Sequence, residues 1–149
     1  MITLEIPKTE EENLALGQWI ADRIPNFVPS SFMAMAFFRK GEGIKAAVMF
    51  HNYRVTDCEV VFAADPASKW ASRDTINMVL RYPFTIGCNR LTAIARKDNK
   101  KVRKLLTQLG FKQEGKLRRA DADKTDLFIY GLLQEEARFE RTDKLRKAA

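Results

Sequence analysis

The chain has 149 residues, 46% of them hydrophobic and ten of them phenylalanine, which fits one domain with a full hydrophobic core. Two cysteines (Cys58 and Cys88) and one histidine (His51) exclude a disulfide framework, argue against a zinc site, and leave both cysteines as reduced, buried thiols. The formal charge is +7, and residues 96–124 carry the whole excess with eleven Lys/Arg against four Asp/Glu, so either a polyanionic partner (nucleic acid, an acidic protein or a phosphate-rich cofactor) or a solvated basic face is expected there.

No apolar run is long enough for a membrane-spanning helix, and residues 1–6 lack a basic segment followed by an apolar one, so a cytoplasmic protein is expected. Residues 1–6 alternate apolar and polar and read as a short strand. Thr9 suits a helix N-cap, with acids at positions 10 to 12 and an apolar stripe of Leu14, Leu16, Trp19, Ile20 and Ile24, stopped by Pro25. Residues 32–39 and 44–51 are predicted strands, joined by Lys40-Gly-Glu-Gly43 into an antiparallel hairpin. A third strand follows at 58–64 and a loop at 65–69. The spacing then predicts a helix over 72–82, ending near Pro83, and a strand over 90–96. Asn99 caps a helix reaching Leu109, with Gly110 behind it. Strands at 111–117 and 125–133, linked by the polar stretch 118–124, close the pattern, and a charged, helix-compatible tail follows. This order predicts a mixed α/β domain with one central sheet flanked by helices. The strand–helix–strand unit over 58–96 is a crossover, so its strands should be parallel, and a ligand should lie beyond their carboxyl ends, near residues 64–70 and 96–99.

Three stretches carry a family likeness: Asn99-Lys-Lys-Val-Arg-Lys-Leu-Leu-Thr-Gln-Leu-Gly-Phe111 with Glu114-Gly115 behind it, the strand Asp126-Leu-Phe-Ile-Tyr130-Gly131, and Leu80-Arg-Tyr82-Pro-Phe84. Together they resemble the GNAT (Gcn5-related N-acetyltransferase) family over about residues 57–135, most closely the subgroup that acetylates ribosomal-protein N-termini. The resemblance implies a GNAT-like acyl-CoA N-acyltransferase fold over residues 1–135, with 136–149 as a charged tail. It implies acetyl-CoA as cosubstrate, no metal, no membrane, a monomer or homodimer, and a protein or small-molecule amine as acceptor.

The resemblance also assigns residues. Its pyrophosphate turn, Arg/Gln-x-x-Gly-x-Gly/Ala, falls on Ala67-x-x-Trp70-x-Ser72, where both glycines are replaced. Backbone amides of Ala71, Ser72 and Arg73 would face the diphosphate at a helix N-terminus. Lys69, Arg73 and Arg103 would add charge. Asn99 would bond the cofactor arm, and backbone N–H groups around Phe62 and Ala64 would meet the thioester oxygen. The tyrosine that protonates the leaving thiolate falls on Leu106, which cannot donate, so Tyr53, Tyr82 and Tyr130 are the hydroxyls that could substitute. For the base that accepts the amine proton the candidates are Glu59, Asp65, Glu114 and His51. The catalytic residues stay unassigned, with Glu59 and Tyr130 as the candidates.

Two other readings stand beside this one. Trp70 and Leu106 favour a GNAT-fold binding module that lost catalysis and serves a protein or nucleic-acid partner. Direct nucleic-acid binding through 96–124 is disfavoured, because Phe111 is the only aromatic residue there and reads as core. A protein N-terminus, a lysine, an amino sugar and a polyamine all remain open as acceptors, with the net charge weighing against the polyamine.

Overall fold

The structure, a computed structural model, describes residues 2–65 and 73–137. Seven strands form one mixed sheet: β1 (Ile2–Glu5), β2 (Met33–Arg39), β3 (Gly43–Arg54), β4 (Asp57–Ala64), β5 (Arg90–Arg96), β6 (Lys112–Leu117) and β7 (Leu127–Leu133). Their spatial order is β1-β2-β3-β4-β5-β7-β6. Every neighbouring pair is antiparallel except β4 with β5, the pair joined by the crossover helix α2 (Arg73–Thr85). The expected mixed α/β architecture and the expected parallel pair are both present. β7 lies between β5 and β6, so β1 and β6 are the two edges of the sheet.

Helices cover both faces. α1 (Glu10–Ala21) packs over a smaller core of Ile20, Ala34, Ala47, Met49 and Ala63. α2 and α3 (Lys100–Leu109) cover the larger core, which includes Phe37, Val48, Phe50, Leu80, Leu91 and Leu106. Residue parity along each strand decides which face a side chain serves. On β4, Val60 and Phe62 point toward α2 and α3, while Val61 and Ala63 belong to the α1 side.

The ends of the helices follow local chemistry. Thr9 accepts from the Glu12 N–H at 3.1 Å and starts α1. α1 ends at Ala21, three residues before the expected Ile24, because the chain tightens there: Arg23 N–H and Ile24 N–H donate to carbonyls three residues back. Leu14, expected on the buried stripe, is 54% exposed. The face that α1 buries is Asn13, Gly17 and Ile20, since the Asn13 amide donates to the Phe32 carbonyl and accepts from the Ala34 N–H, both at 2.9 Å. α2 runs through Pro83 rather than ending there. Pro83 is fully buried in the last turn, and its carbonyl accepts from the Ile86 and Cys88 N–H groups, which continues the turn without the missing donor. Asn99 accepts from Val102 N–H, and Gly110 closes α3 at φ 103°, where a side chain would be strained.

Candidate active site

The parallel pairing of β4 with β5 covers only residues 57–59 against 90–92. Beyond Glu59 and Thr92 the two strands part. β3 holds β4 as far as Ala64, and β7 holds β5 as far as Arg96, so each strand stays extended while the pairing between them lapses. A crevice of about 440 Å³ opens at this divergence. Val60, Phe62, Ala93, Ala95, Asn99 and Leu106 line it on the α2/α3 side. Glu59, His51, Val61 and Ile94 line it on the α1 side, together with residues 23–28. The crevice lies at the carboxyl end of the parallel pair, where the sequence places the ligand.

Glu59 stands at the vertex, the last β4 residue still paired to β5. It lies opposite His51 in the β3/β4 register, and both side chains therefore share the α1 face. His51 Nε2 is 3.5 Å from Glu59 Oε1, an ion-pair distance too long for a good hydrogen bond. Asn52 Nδ2 donates to Glu59 Oε2 at 2.9 Å. Burial pushes the Glu59 pKa upward, but the His51 ring and the Asn52 amide, helped by Arg54, outweigh it and hold the carboxyl below its usual range. Glu59 is therefore an anion at neutral pH. His51 is 3% exposed, and the edge of the Phe27 ring, 5.4 Å between centroids, fixes its plane.

Two arginines frame the mouth. Arg96, at the end of β5, donates to Asp121 at 2.6 Å, Asp123 at 2.8 Å and both Asp98 oxygens, so it ties the β6–β7 connection to the crevice. Arg23 donates to Asp65 at 3.2 Å and to the Trp19 carbonyl at 3.0 Å, and lies 3.4 Å over the Trp19 ring. Neither was singled out from the sequence. The signal for Arg96 was legible only as three aspartates within a basic stretch.

Of the residues expected at the site, Phe62 and Asn99 line the crevice, and Ala64 ends β4 beside it. Lys69, Ala71 and Ser72, with Trp70, lie outside the described residues, as does the side chain of Arg73, whose backbone opens α2. Arg103 is turned away from the crevice. Its Nε donates to the Tyr130 hydroxyl at 3.1 Å, its Nη1 donates to the Lys97 carbonyl at 2.9 Å, and its guanidinium lies 4.4 Å over the Phe128 ring. Tyr130 is likewise not brought to Glu59: it is buried under α3 on the opposite face of the sheet. Glu114 is held by Arg90 on the far side of β5, and Tyr82 packs on Phe50. Leu106, 1% exposed, forms part of the crevice wall, and no described lining residue carries a hydroxyl or a thiol. Cys58 and Cys88 are free and buried, and burial first of all pushes both thiols up, so neither is a ready nucleophile. Among the described residues no group of His, Cys, Asp and Glu is arranged to hold a metal.

The fold has clear counterparts among solved structures. A dodecameric spermidine N-acetyltransferase from Vibrio cholerae is 17% identical, with 90% of this chain and 94% of that chain covered at TM-score 0.71. The ribosomal-protein-S18-alanine N-acetyltransferase from Escherichia coli is 18% identical, over 89% and 94% of the two chains, at TM-score 0.70. A GNAT-family acetyltransferase from Bacillus anthracis is 20% identical, over 69% and 67%, at TM-score 0.60. No protein-family profile matches the sequence, and no curated protein sequence does. The architecture is that of the GNAT N-acetyltransferases; identities this low speak to the fold.

Proposed function

We propose that this chain is an acetyl-CoA-dependent N-acetyltransferase that moves an acetyl group directly to a primary amine of a protein or small molecule. The observation that carries the reading is the crevice between the parted strands, with an ionised carboxylate at its vertex. The crevice fits an extended, amide-bearing chain, because the inner edge of β4 beyond Glu59 keeps backbone groups that β5 does not pair. Acetyl-CoA, when bound, supplies the thioester carbonyl and the thiolate leaving group.

The residues then take roles by face. Backbone N–H groups near Phe62 and Ala64 meet negative charge growing on the carbonyl oxygen. Asn99, whose Oδ1 caps α3, keeps its amide N–H free for the arm of the cosubstrate. On the α1 face Glu59 attracts the acceptor as an ammonium ion. It is a weak base for an amine of pKa about 8, so the proton leaves through it to solvent at a rate set by the amine's own ionisation. The nitrogen–carbon bond forms as the carbon–sulfur bond breaks, and the thiolate takes its proton from solvent. Lys69, Ala71, Ser72 and Arg73 remain the proposed diphosphate contacts. Arg103 is reassigned as a strut between α3 and β7.

No described helix is long and apolar enough to cross a membrane, and we place the activity in the cytoplasm. The reading is tested by titrating acetyl-CoA calorimetrically and following CoA release with an amine panel. Glu59→Gln is expected to keep micromolar acetyl-CoA affinity and lose about 100-fold or more in kcat/KM for the amine. An unchanged kcat/KM would remove Glu59 from the mechanism. Failure of the parent protein to bind at millimolar acetyl-CoA would leave the binding-module reading, which the hydroxyl-free crevice with Leu106 favours.

A further inference from the structure

The acceptor half of the crevice has a definite character. Ile24, Phe27 and Val28 from the α1–β2 connection face Val61, Ile94 and Leu127 from three strands. Val28 is 86% and Ile94 39% exposed, so apolar surface is left open beside the vertex where isolated exposure would be unremarkable but a cluster signals a binding surface. The arginines around it are already held, Arg23 by Asp65, and Arg96 by Asp98, Asp121 and Asp123. Among the described lining residues the carboxylates are Asp121, bound to Arg96 at 2.6 Å, and Glu59, whose nearest partners are a neutral amide and the His51 ring.

From this juxtaposition of the Glu59 carboxylate with an apolar wall of six residues we infer the acceptor class: a primary amine bearing a single positive charge on an uncharged, apolar body. The inference rests on the N-acetyltransferase reading. A second cation carried on the acceptor's body would have to lie against Ile24, Phe27, Val28, Val61, Ile94 and Leu127, where it would lose hydration without a partner. An acidic group would have to displace Asp65 or Asp121 from its arginine. A branched or aromatic side chain beside the amine gains contact with Phe27, Val28 and Ile94. A free apolar amine and a peptide N-terminus with an apolar first residue share this chemistry.

The full chain would be assayed for CoA release with 3-methylbutylamine, with an Ile-led uncharged peptide amide, with spermidine, and with free glutamate, after acetyl-CoA binding has been measured calorimetrically. Either apolar acceptor should exceed spermidine and glutamate in kcat/KM by at least about tenfold, a discrimination within reach of one apolar pocket. Which of the two apolar arms turns over identifies the source of the amine. Val28→Asp, at an exposed rim position, should shift the apolar-to-spermidine ratio at least about fivefold toward spermidine through KM. Spermidine or glutamate matching the apolar amines overturns the acceptor class while the enzyme reading stands, and acetyl-CoA binding with no turnover of either apolar amine overturns it too. Absence of acetyl-CoA binding sinks the underlying reading instead.

Discussion

Gly17 and Gly131 both lack room for a side chain, yet what stands in the way differs. A Cβ on Gly17 would lie 2.2 Å from Cζ of Phe32, a ring packed in the smaller core whose own backbone carbonyl is held by Asn13. The ring cannot retreat without breaking that contact or moving α1. A Cβ on Gly131 would lie 2.3 Å from Oε2 of Glu114, the far end of a half-exposed side chain that can swing away and give up its Arg90 partner. Gly17→Ala should therefore cost about 1–3 kcal/mol of overpacking, offset by up to about 1 kcal/mol of helix propensity. Gly131→Ala should cost no more than about 1 kcal/mol, the value of an exposed ion pair. Urea midpoints of the two variants would check this, and equal losses would refute the distinction. Neither constraint was legible in the sequence. A glycine inside a helical pattern announces only poor propensity, and its partner Phe32 is fifteen residues away on another element. Glu59 was legible as a border residue of the crevice strand, but its pairing with His51 needed the β3/β4 register, which the long, irregular hairpin end at Asn52 hides.

At the scale of elements, α3 shows both the reach and the limit of pattern reading. Its ends were legible because each rests on one residue acting locally: the Asn99 cap and the left-handed Gly110. The use of its charges was not. Helical spacing puts Lys100, Lys101 and Lys104 in solvent, and it puts Arg103 at the flank of the apolar stripe, where tertiary contacts decide. Tyr130, on a strand twenty-seven residues later, supplies the acceptor that turns Arg103 inward. Arg103→Ala should accordingly lower stability by about 1–3 kcal/mol, through a buried tyrosine hydroxyl losing its charged donor and the Phe128 ring losing its cation. Arg103→Lys should recover only part of this, since an ammonium cannot span Tyr130 and the Lys97 carbonyl with a planar fork. Acetyl-CoA affinity should stay within about twofold of the parent. Thermal melts alongside calorimetry separate the two roles: tenfold weaker acetyl-CoA binding at unchanged Tm would return Arg103 to the phosphate site.

The whole molecule is two antiparallel arms joined at a short parallel seam. The arms were legible from turn residues and strand alternation, and the seam from the crossover helix. The parting of the seam was not, because Cys58–Ala64 and Arg90–Arg96 carry ordinary strand patterns along their full length. What keeps the mouth of the parted seam in shape is charge. Arg96 holds Asp98, Asp121 and Asp123, and the Asp98 and Asp123 carboxyls lie below their usual values chiefly because the guanidinium donates to them. Asp126 is lowered by the Arg119 N–H it accepts, and Glu136 by Lys112. Depressed folded-state values fix the sign: this stabilisation is complete above the unfolded aspartate pKa of about 4 and is lost as pH falls through the folded values. Protonation there also strands Arg96 on a chain already at +7, so repulsion rises as the pairs fail. Tm should thus be insensitive to these groups between about pH 5 and 8 and should drop steadily below about pH 4. Amide exchange over residues 118–126 should accelerate before that of the sheet, because the connection is held mainly by these pairs. Arg96→Ala should lower Tm at neutral pH and flatten the acid limb, since the variant loses the Asp98, Asp121 and Asp123 pairs and keeps only those of Asp126 and Glu136 to titrate. An acid limb of undiminished steepness in that variant would show that other carboxylates, Glu59 beside His51 first among them, govern the acid stability of the molecule.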